Sequence, residues 1–404
     1  MEVLYERCAA LDVHKKVVVA CVTTPEGKET KTFGTMTSEL LELADYLVSK
    51  GCTHVAMGST GVYWKPIYNI LEGTGIEVLV VNARDIKAVP GRKADVKDAE
   101  WICDLLRHGL LRGSFIPGRP QRGLREVVRY RKDLIEERAR GVNRIQKVLE
   151  GANIKLGDVA TNVMGKSGQA MLEALVAGET DPESLAQLAR GKLKKAGQLT
   201  KAMEGLIRPH QRMMLAAQIE HVRFLDGQIK KLDREIEERM RPFEKAVEAL
   251  DGIPGVGRQT AEEVLAETGD NMSRFPSAAH LASWAGLCPG NNESAGKRKS
   301  GRTRPGNPHL RTTLVEAARS AARTKNTYLS AQYHRIAARR GGNRGAVAVA
   351  HTILVIIYLM LKEGTAYQDL GADYFDKLNH DAVARRAIKR LEALGYKVTL
   401  EQAA

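Results

Sequence analysis

The sequence predicts an α/β domain at the N-terminus, an α-helical coiled-coil middle and a mostly α C-terminal domain. Three observations predict it. β-rich runs alternate with helical periodicity up to about residue 115. Val222, Leu225, Ile229, Leu232 and Ile236 then step by 3, 4, 3 and 4, the spacing of a coiled-coil seam. Last, Leu250-Asp251-Gly252-Ile253-Pro254-Gly255-Val256-Gly257 punctuates two helical patterns as a helix-hairpin-helix. The boundaries read 1–120, 121–245 and 246–404.

In the first segment, Ala9–Val13 and Val17–Thr23 are strand-like runs split by His14-Lys15-Lys16, and Pro25-Glu26-Gly27-Lys28 is a hairpin turn signal. Leu40, Leu41, Leu43 and Leu47 mark a helix over Ser38–Ser49. A strand at His54–Met57, a helix around Trp64–Leu71, a strand at Val78–Asn82 and a helix from about Asp95 to Leu111 follow. Strands alternating with helices imply a partly parallel sheet. The middle segment is helical and charged, with short helices expected over Ala152–Thr200. Its seam spacing fits a coiled coil or one face of a helical bundle. In the last segment, Ala346–Leu361 is the most apolar stretch. It is short for a membrane span and carries His351 and Thr352, so it reads as a buried core helix.

Across the 404 residues, Lys plus Arg is 62 against 48 Asp plus Glu, a net charge of +14. That balance favours a polyanionic partner, because neutralising phosphates releases counterions. Cys8, Cys21, Cys52, Cys103 and Cys288 form no metal-ligand spacing and read as reduced, mostly buried thiols of a cytoplasmic protein. The N-terminal stretch has no apolar signal core, and no membrane partner is expected.

Three carboxylates stand out. Asp12 ends a β-rich run and faces opposite to Leu11 and Val13. Asp95 and Asp98, three apart, share one face of a helix start. Like charges held together repel unless a cation offsets them, and Mg²⁺ takes such oxygen ligands with water in its remaining positions. The plainer alternative is a strand-ending Asp12 and two helix-capping aspartates. A second candidate region is Asn291–Arg302, where small residues flank Ser294 and cations follow. On its residues alone it is a phosphate-binding surface loop. Glycines at the helix-hairpin-helix, Gly255 and Gly257, allow backbone N–H groups to meet a phosphate. An arginine-dense helix carries Arg125, Arg129, Arg138 and Arg144, read either as a nucleic-acid contact or as a solvated face. Tyr63, Trp64 and Tyr130 are able to stack on bases, but in a chain with 5% aromatics they read first as core or interface residues.

Several separated motifs occur together: Leu11-Asp12-Val13-His14-Lys15, Ser59-Thr60-Gly61-Val62-Tyr63-Trp64, Lys93-Ala94-Asp95-Val96-Lys97-Asp98-Ala99, Arg107-His108-Gly109-Leu110 and Trp284-Ala285-Gly286-Leu287-Cys288-Pro289-Gly290. In this order they resemble the insertion-sequence 110 family, the DEDD transposases or bridge-RNA-guided recombinases, over nearly the whole chain. The resemblance implies a RuvC-like (ribonuclease-H-like) N-terminal domain with four acidic Mg²⁺ ligands, of which Asp12, Asp95 and Asp98 match three. It places Gly58 where the family has Glu, so metal binding is weakened, another carboxylate substitutes, or the chain is an inactive variant.

The resemblance further implies that Ser294, before a small-Gly-Lys tripeptide, is a nucleophile forming a covalent phosphoserine link to DNA. Ser300 is the runner-up, and Lys297, Arg302 and Arg304 stabilise developing charge. A structured non-coding guide RNA that pairs with target and donor DNA is the implied partner. The implied assembly is a homo-oligomer, a dimer that becomes a tetramer in the synaptic complex, with the acids and the serine meeting in a composite site of two subunits. The alternatives are a RuvC-like junction nuclease, or a catalytically impaired nucleic-acid-binding variant.

Overall fold

Alternating apolar residues build the sheet on which the N-terminal unit rests. The computed structural model describes residues 2–59, 61–82, 98–191, 193, 197–290, 292–378 and 380–399. Asp95, Thr60 and Asn291 lie outside the described residues. The chain divides into two compact units, Met1–Ile116 and Pro117–Ala404.

In the first unit, β1 (Cys8–Val13), β2 (Val17–Thr24), β3 (Gly27–Gly34), β4 (His54–Gly58) and β5 (Glu77–Val81) form one five-stranded sheet in the order β3-β2-β1-β4-β5. The β1–β2 and β2–β3 pairs are antiparallel, whereas β1–β4 and β4–β5 are parallel. The mixed sheet therefore bears out the partly parallel expectation. Successive side chains in a strand point to opposite faces, so each face collects its own layer. Ala9, Leu11 and Val13 of β1 pack on one side with Leu40, Leu43 and Leu47 of α1 (Thr37–Ser49) and Ile67 and Leu71 of α2 (Trp64–Leu71). Cys8 and Ala10 pack on the other side with Ala99, Ile102, Cys103, Leu105 and Leu106 of α3 (Asp98–Arg107). Those five α3 positions fall on one stripe of a 3.6-residue helix, which is why α3 lies flat on the sheet.

Pro117–Ala404 is helical apart from one small hairpin among the described residues. Two long helices, α4 (Arg119–Gly151) and α9 (Pro209–Met240), run antiparallel. Their facing pairs descend in register: a Cβ on Gly123 would meet Arg239, His221 bonds Glu137, and Gly151 lies by Gln211. In the seam, Val222, Leu225 and Ile236 are buried and Ile229 and Leu232 half-buried. The heptad signal is thus an intramolecular helix pair. Short helices α5 (Leu156–Val159), α6 (Lys166–Ala177), α7 (Pro182–Gln187) and α8 (Leu199–Met203) share a core with one end of that pair.

The rest of the unit comprises α10 (Glu244–Asp251), α11 (Arg258–Thr268), α12 (Ala278–Trp284), β6 (Asn292–Ser294), β7 (Lys297–Ser300), α13 (Pro308–Ala321), α14 (Tyr328–Arg340), α15 (Gly342–Glu363), α16 (Tyr374–Leu378) and α17 (His380–Ala393). Helix α15 contains the apolar stretch. It is long and apolar enough to cross a membrane, with mean hydropathy 2.0, yet half of that window is buried within the protein. Ala346, Val349, Ile353, Leu354 and Ile357 are fully buried, and Tyr358 donates from its hydroxyl to the Phe275 carbonyl at 3.1 Å. A core helix is therefore what the stretch forms.

All five cysteines are free thiols. Four are buried and Cys288 is half-buried. Trp64 packs against the N-terminal core, whereas Tyr63 and Tyr130 are exposed at 41% and 56%, so neither is a core residue.

Candidate active site

In the first unit, the two parallel strands β1 and β4 bring Asp12 and Gly58 side by side. Leu11 pairs with Met57, and Asp12 and Gly58 each follow by one residue. Asp12 shares the sheet face of Cys8 and Ala10, the face covered by α3. Its side chain is 28% exposed and accepts a hydrogen bond from His14 Nε2 at 3.1 Å.

Helix α3 runs antiparallel to β1. At its C-terminal end, the Leu4 and Tyr5 N–H groups donate to the Arg107 carbonyl, and further back Cys103 Sγ lies 3.2 Å from Thr23 Oγ1 beside Cys8. Going back five helical residues from Cys103 and forward four strand residues from Cys8 leads to Asp98 and Asp12 at the same end of the same face. Asp98 is exposed at the first position of α3.

Two carboxylates at the C-terminal end of the central strand are a donor set of the kind Mg²⁺ takes, with water completing the shell. Asp95 lies outside the described residues, and among the described residues no group of three or more potential ligands gathers. Gly58 contributes no oxygen from its side chain.

In the second unit, Ser294 sits at the end of β6 in a hairpin rather than in an irregular loop. Ser294 pairs with Lys297, leaving Ala295 and Gly296 as a two-residue turn. Both have positive φ, +50° and +72°, the conformation of a type I′ turn, whose twist matches that of the flanking strands. Alanine in that region carries strain that glycine does not. Ala295→Gly is therefore expected to stabilise the turn by about 1 kcal/mol, measurable as slower amide exchange in β6 and β7.

Lys297, Arg302 and Arg304 are all exposed around the hairpin. Ser300 is half-buried, and its hydroxyl accepts the Arg302 N–H at 3.1 Å. The base of the hairpin closes through the Gly290 N–H to the Arg302 carbonyl at 2.8 Å and a bridge between Pro289 and Thr303. Gly286 and Gly306 meet there backbone to backbone, and a Cβ on Gly306 would lie 2.3 Å from the Gly286 nitrogen.

The arginine-dense helix α4 has internal partners that the sequence did not reveal. Arg129 donates to both carboxylate oxygens of Glu267 at 2.6 and 2.8 Å, and Arg125 Nε approaches Glu267 at 3.2 Å. Arg131 bonds Glu262, Lys132 bonds Glu263, and Arg138 bonds Asp226. Thus Arg125, Arg129 and Arg138 are engaged within the chain rather than free for nucleic acid, whereas Arg144 is exposed. Helix α11 buries Glu262, Glu263 and Glu267 against these cations.

Burial pushes the Glu267 carboxyl up, but hydrogen bonding from Arg129 and the charges of Arg125 and Arg129 outweigh it and hold it below the usual range. Burial brings Arg125 down to about 10. Removing one partner of such a buried pair costs about 3–5 kcal/mol. Glu267 also accepts from Asn307 Nδ2 at 2.6 Å. Asn307 caps α13, its Oδ1 accepting from the His309 and Leu310 N–H groups. Nothing in the sequence marked Glu267 within its amphipathic helix pattern. Asn307-Pro308, a cap followed by proline at N1, is a helix-start signal that sequence reasoning passed over.

At the helix-hairpin-helix, Gly255 has φ +86°, and a Cβ there would lie 2.4 Å from the Ala317 carbonyl and 2.5 Å from the Ala321 nitrogen. Gly255 is thus where the turn docks on α13. Gly257, exposed, is the N-cap of α11, and its helix start is open to solvent.

Residues 9–154 match the DEDD family of insertion sequence IS110, described as Transposase, and residues 247–334 match the family described as Transposase IS116/IS110/IS902 family. Among curated proteins, the chain is 26% identical over 321 residues to the "Probable family 20 transposase" of Pseudomonas aeruginosa, covering 78% of this chain and 85% of that protein. It is 30% identical over 283 residues to the 44.8 kDa protein of insertion element IS116 from Streptomyces clavuligerus, covering 61% of this chain and 68% of that one.

Proposed function

Because the chain belongs to the insertion-sequence 110 family of transposases, enzymes that cut and rejoin DNA, we propose that it is an RNA-guided recombinase that moves its own insertion sequence. The observation that carries this reading is the β6–β7 hairpin, whose two-residue turn has Ser294 on one strand paired with the exposed Lys297 on the other, while the exposed Arg302 and Arg304 lie toward its base. Ser294 Oγ attacks a DNA phosphorus and loses its proton. The bridging oxygen on the far side leaves as a free hydroxyl, and a phosphoserine ester joins protein to DNA. Rejoining reverses these bonds on the exchanged strand. Lys297, Arg302 and Arg304 stabilise charge on the non-bridging oxygens.

The strand order and polarity of the sheet support a RuvC-like, ribonuclease-H-like reading of the N-terminal unit. Asp12, Asp95 and Asp98 would hold Mg²⁺, which would neutralise phosphate charge during transfer. The net charge of +14 supports DNA and a structured guide RNA as partners. Arg144 and the open start of α11 at Gly257 are the phosphate contacts proposed beyond the hairpin, while Arg125, Arg129 and Arg138 serve the internal ion pairs. The functional segments are 1–120, 121–245 and 246–404, working as a cytoplasmic homo-oligomer.

The test incubates the purified protein with Mg²⁺, the RNA transcribed from the non-coding end of its element and a junction DNA. A covalent protein–DNA adduct mapped by mass spectrometry to Ser294 is expected. Binding of both nucleic acids without any adduct would overturn the recombinase reading.

A second reading has its own observation. Gly58 stands beside Asp12 on the parallel strand, so the position best placed to add a carboxylate lacks one. The acidic site of this chain is accordingly weak. Gly58→Glu is expected to lower the Mg²⁺ concentration for half-maximal adduct formation about tenfold or more, since even groups outside the direct ligands act on that scale. Equal metal dependence and adduct yield in the two proteins would sink the claim.

A further inference from the structure

We propose that Glu267 and Asn307 are positioning residues that hold the base of the Ser294 hairpin in its reactive place. The inference rests on Ser294 being the nucleophile. Hydrogen bonds connect Glu267 and Asn307 to the base of that hairpin. Glu267, 3% exposed, is clamped by Arg125 and Arg129 of α4 and accepts from Asn307 Nδ2 at 2.6 Å. The Asn307 backbone N–H donates to the Trp284 carbonyl at 2.9 Å, which ties the incoming strand of the hairpin loop to its outgoing strand. One turn into α13, Arg311 Nη1 donates to the Gly286 carbonyl at 2.5 Å and to Thr303 Oγ1 at 2.6 Å. Both ends of segment 286–307 are thereby fixed to the same helix start.

The arrangement exceeds what capping requires. Capping of α13 uses only Oδ1 of Asn307, which accepts from the His309 and Leu310 N–H groups at 3.1 and 3.2 Å. The amide's other end faces a buried carboxylate. A serine at 307 would still cap, because its hydroxyl is as good an acceptor there as an amide oxygen. It would not reach Glu267. The two jobs of Asn307 are therefore separable by mutation. A hairpin that ends in a nucleophile needs this kind of support, since displacement of a reacting atom by about 1 Å costs about a hundredfold in rate.

The experiment compares the full-length wild type, Asn307→Ser and Asn307→Asp. Both variants keep a cap acceptor and neither offers an N–H to Glu267, whose ion pairs with Arg125 and Arg129 stay intact. Asn307→Ser is expected to lower the rate of adduct formation at saturating junction DNA about tenfold or more, with DNA affinity within about twofold of wild type. Asn307→Asp, which sets a second carboxylate against Glu267, is expected to be at least as slow. Either variant at the wild-type rate would overturn the proposal.

Amide exchange of residues 287–304 in the protein alone, with neither RNA nor DNA, reads the positioning without any chemistry. Faster exchange there in both Asn307→Ser and Asn307→Asp supports the proposal. Unchanged exchange overturns it. Failure of the wild type itself to form a Ser294 adduct instead removes the functional reading and leaves the amide measurement to decide the positioning.

Discussion

Ser294→Ala abolishes the covalent protein–DNA adduct, by at least about a thousandfold, while the protein stays folded and keeps its DNA and RNA affinity. The change removes one hydroxyl from a strand end whose partner is Lys297 and whose turn is made by Ala295 and Gly296. None of those backbone features depends on the deleted atom, so the hairpin persists and the loss is chemical. Denaturing gels of Mg²⁺-containing reactions stopped with a chelator check it, with circular dichroism and filter binding as controls for folding and affinity. Ser300→Ala makes the contrast. Ser300 uses its oxygen to accept the Arg302 N–H, and its loss is expected to slow the reaction modestly rather than stop it. Adduct surviving in Ser294→Ala but lost in Ser300→Ala would reassign the nucleophile. Strand cleavage that continues in Ser294→Ala without adduct would instead favour a junction nuclease run by the acids alone.

The largest effect on stability is expected for Gly255→Ala. Its φ of +86° is one that alanine adopts only with strain, and the added Cβ would sit 2.4 Å from the Ala317 carbonyl and 2.5 Å from the Ala321 nitrogen. Those are backbone atoms inside α13, which cannot rotate away as a side chain would. Backbone strain of about 1–3 kcal/mol and overpacking of about 1–3 kcal/mol act together. A loss of roughly 4 kcal/mol lowers the unfolding midpoint of a unit this size by about 10 °C. Gly257, two residues on, behaves differently. Its φ is −87° and the nearest atom to a Cβ is 4.0 Å away. Gly257→Ala is therefore expected to cost no more than about 1 kcal/mol, the value of an N-cap. Calorimetry of the two variants checks the pair, and similar midpoints for both would refute the docking role of Gly255.

These two glycines show how far a motif is legible. Their presence marks a turn between helices, and the turn is there. Which glycine is irreplaceable depends on α13, more than fifty residues further along the chain. The same division runs through the acidic site. Alternation along β1 already places Asp12 opposite Leu11 and Val13, because a strand has period two. That Asp98 begins a helix whose N-terminus lies at the same end of that strand follows only once α3 is laid antiparallel to β1. Helix α15 is similar: its apolar run marks a helix, and its burial against the rest of the unit marks it as core.

What the sequence by itself determined was the alternating α/β unit, the long helices, the apolar core helix, the facing of Asp12 and the motifs that carry the family resemblance. Each rests on periodicity or spacing within a few residues, where backbone geometry alone sets which side chains share a face. Only the tertiary structure decided the rest. The serine region is a type I′ hairpin although Ala295-Gly296 lacks the usual asparagine signal. Arg125, Arg129 and Arg138 of α4 are ion-paired rather than free, because their carboxylates come from across the fold: Arg129 and Glu267 are 138 residues apart in sequence. A charged helix face reads the same whether water or a buried glutamate meets it, and the choice between them is made by packing that no local pattern encodes.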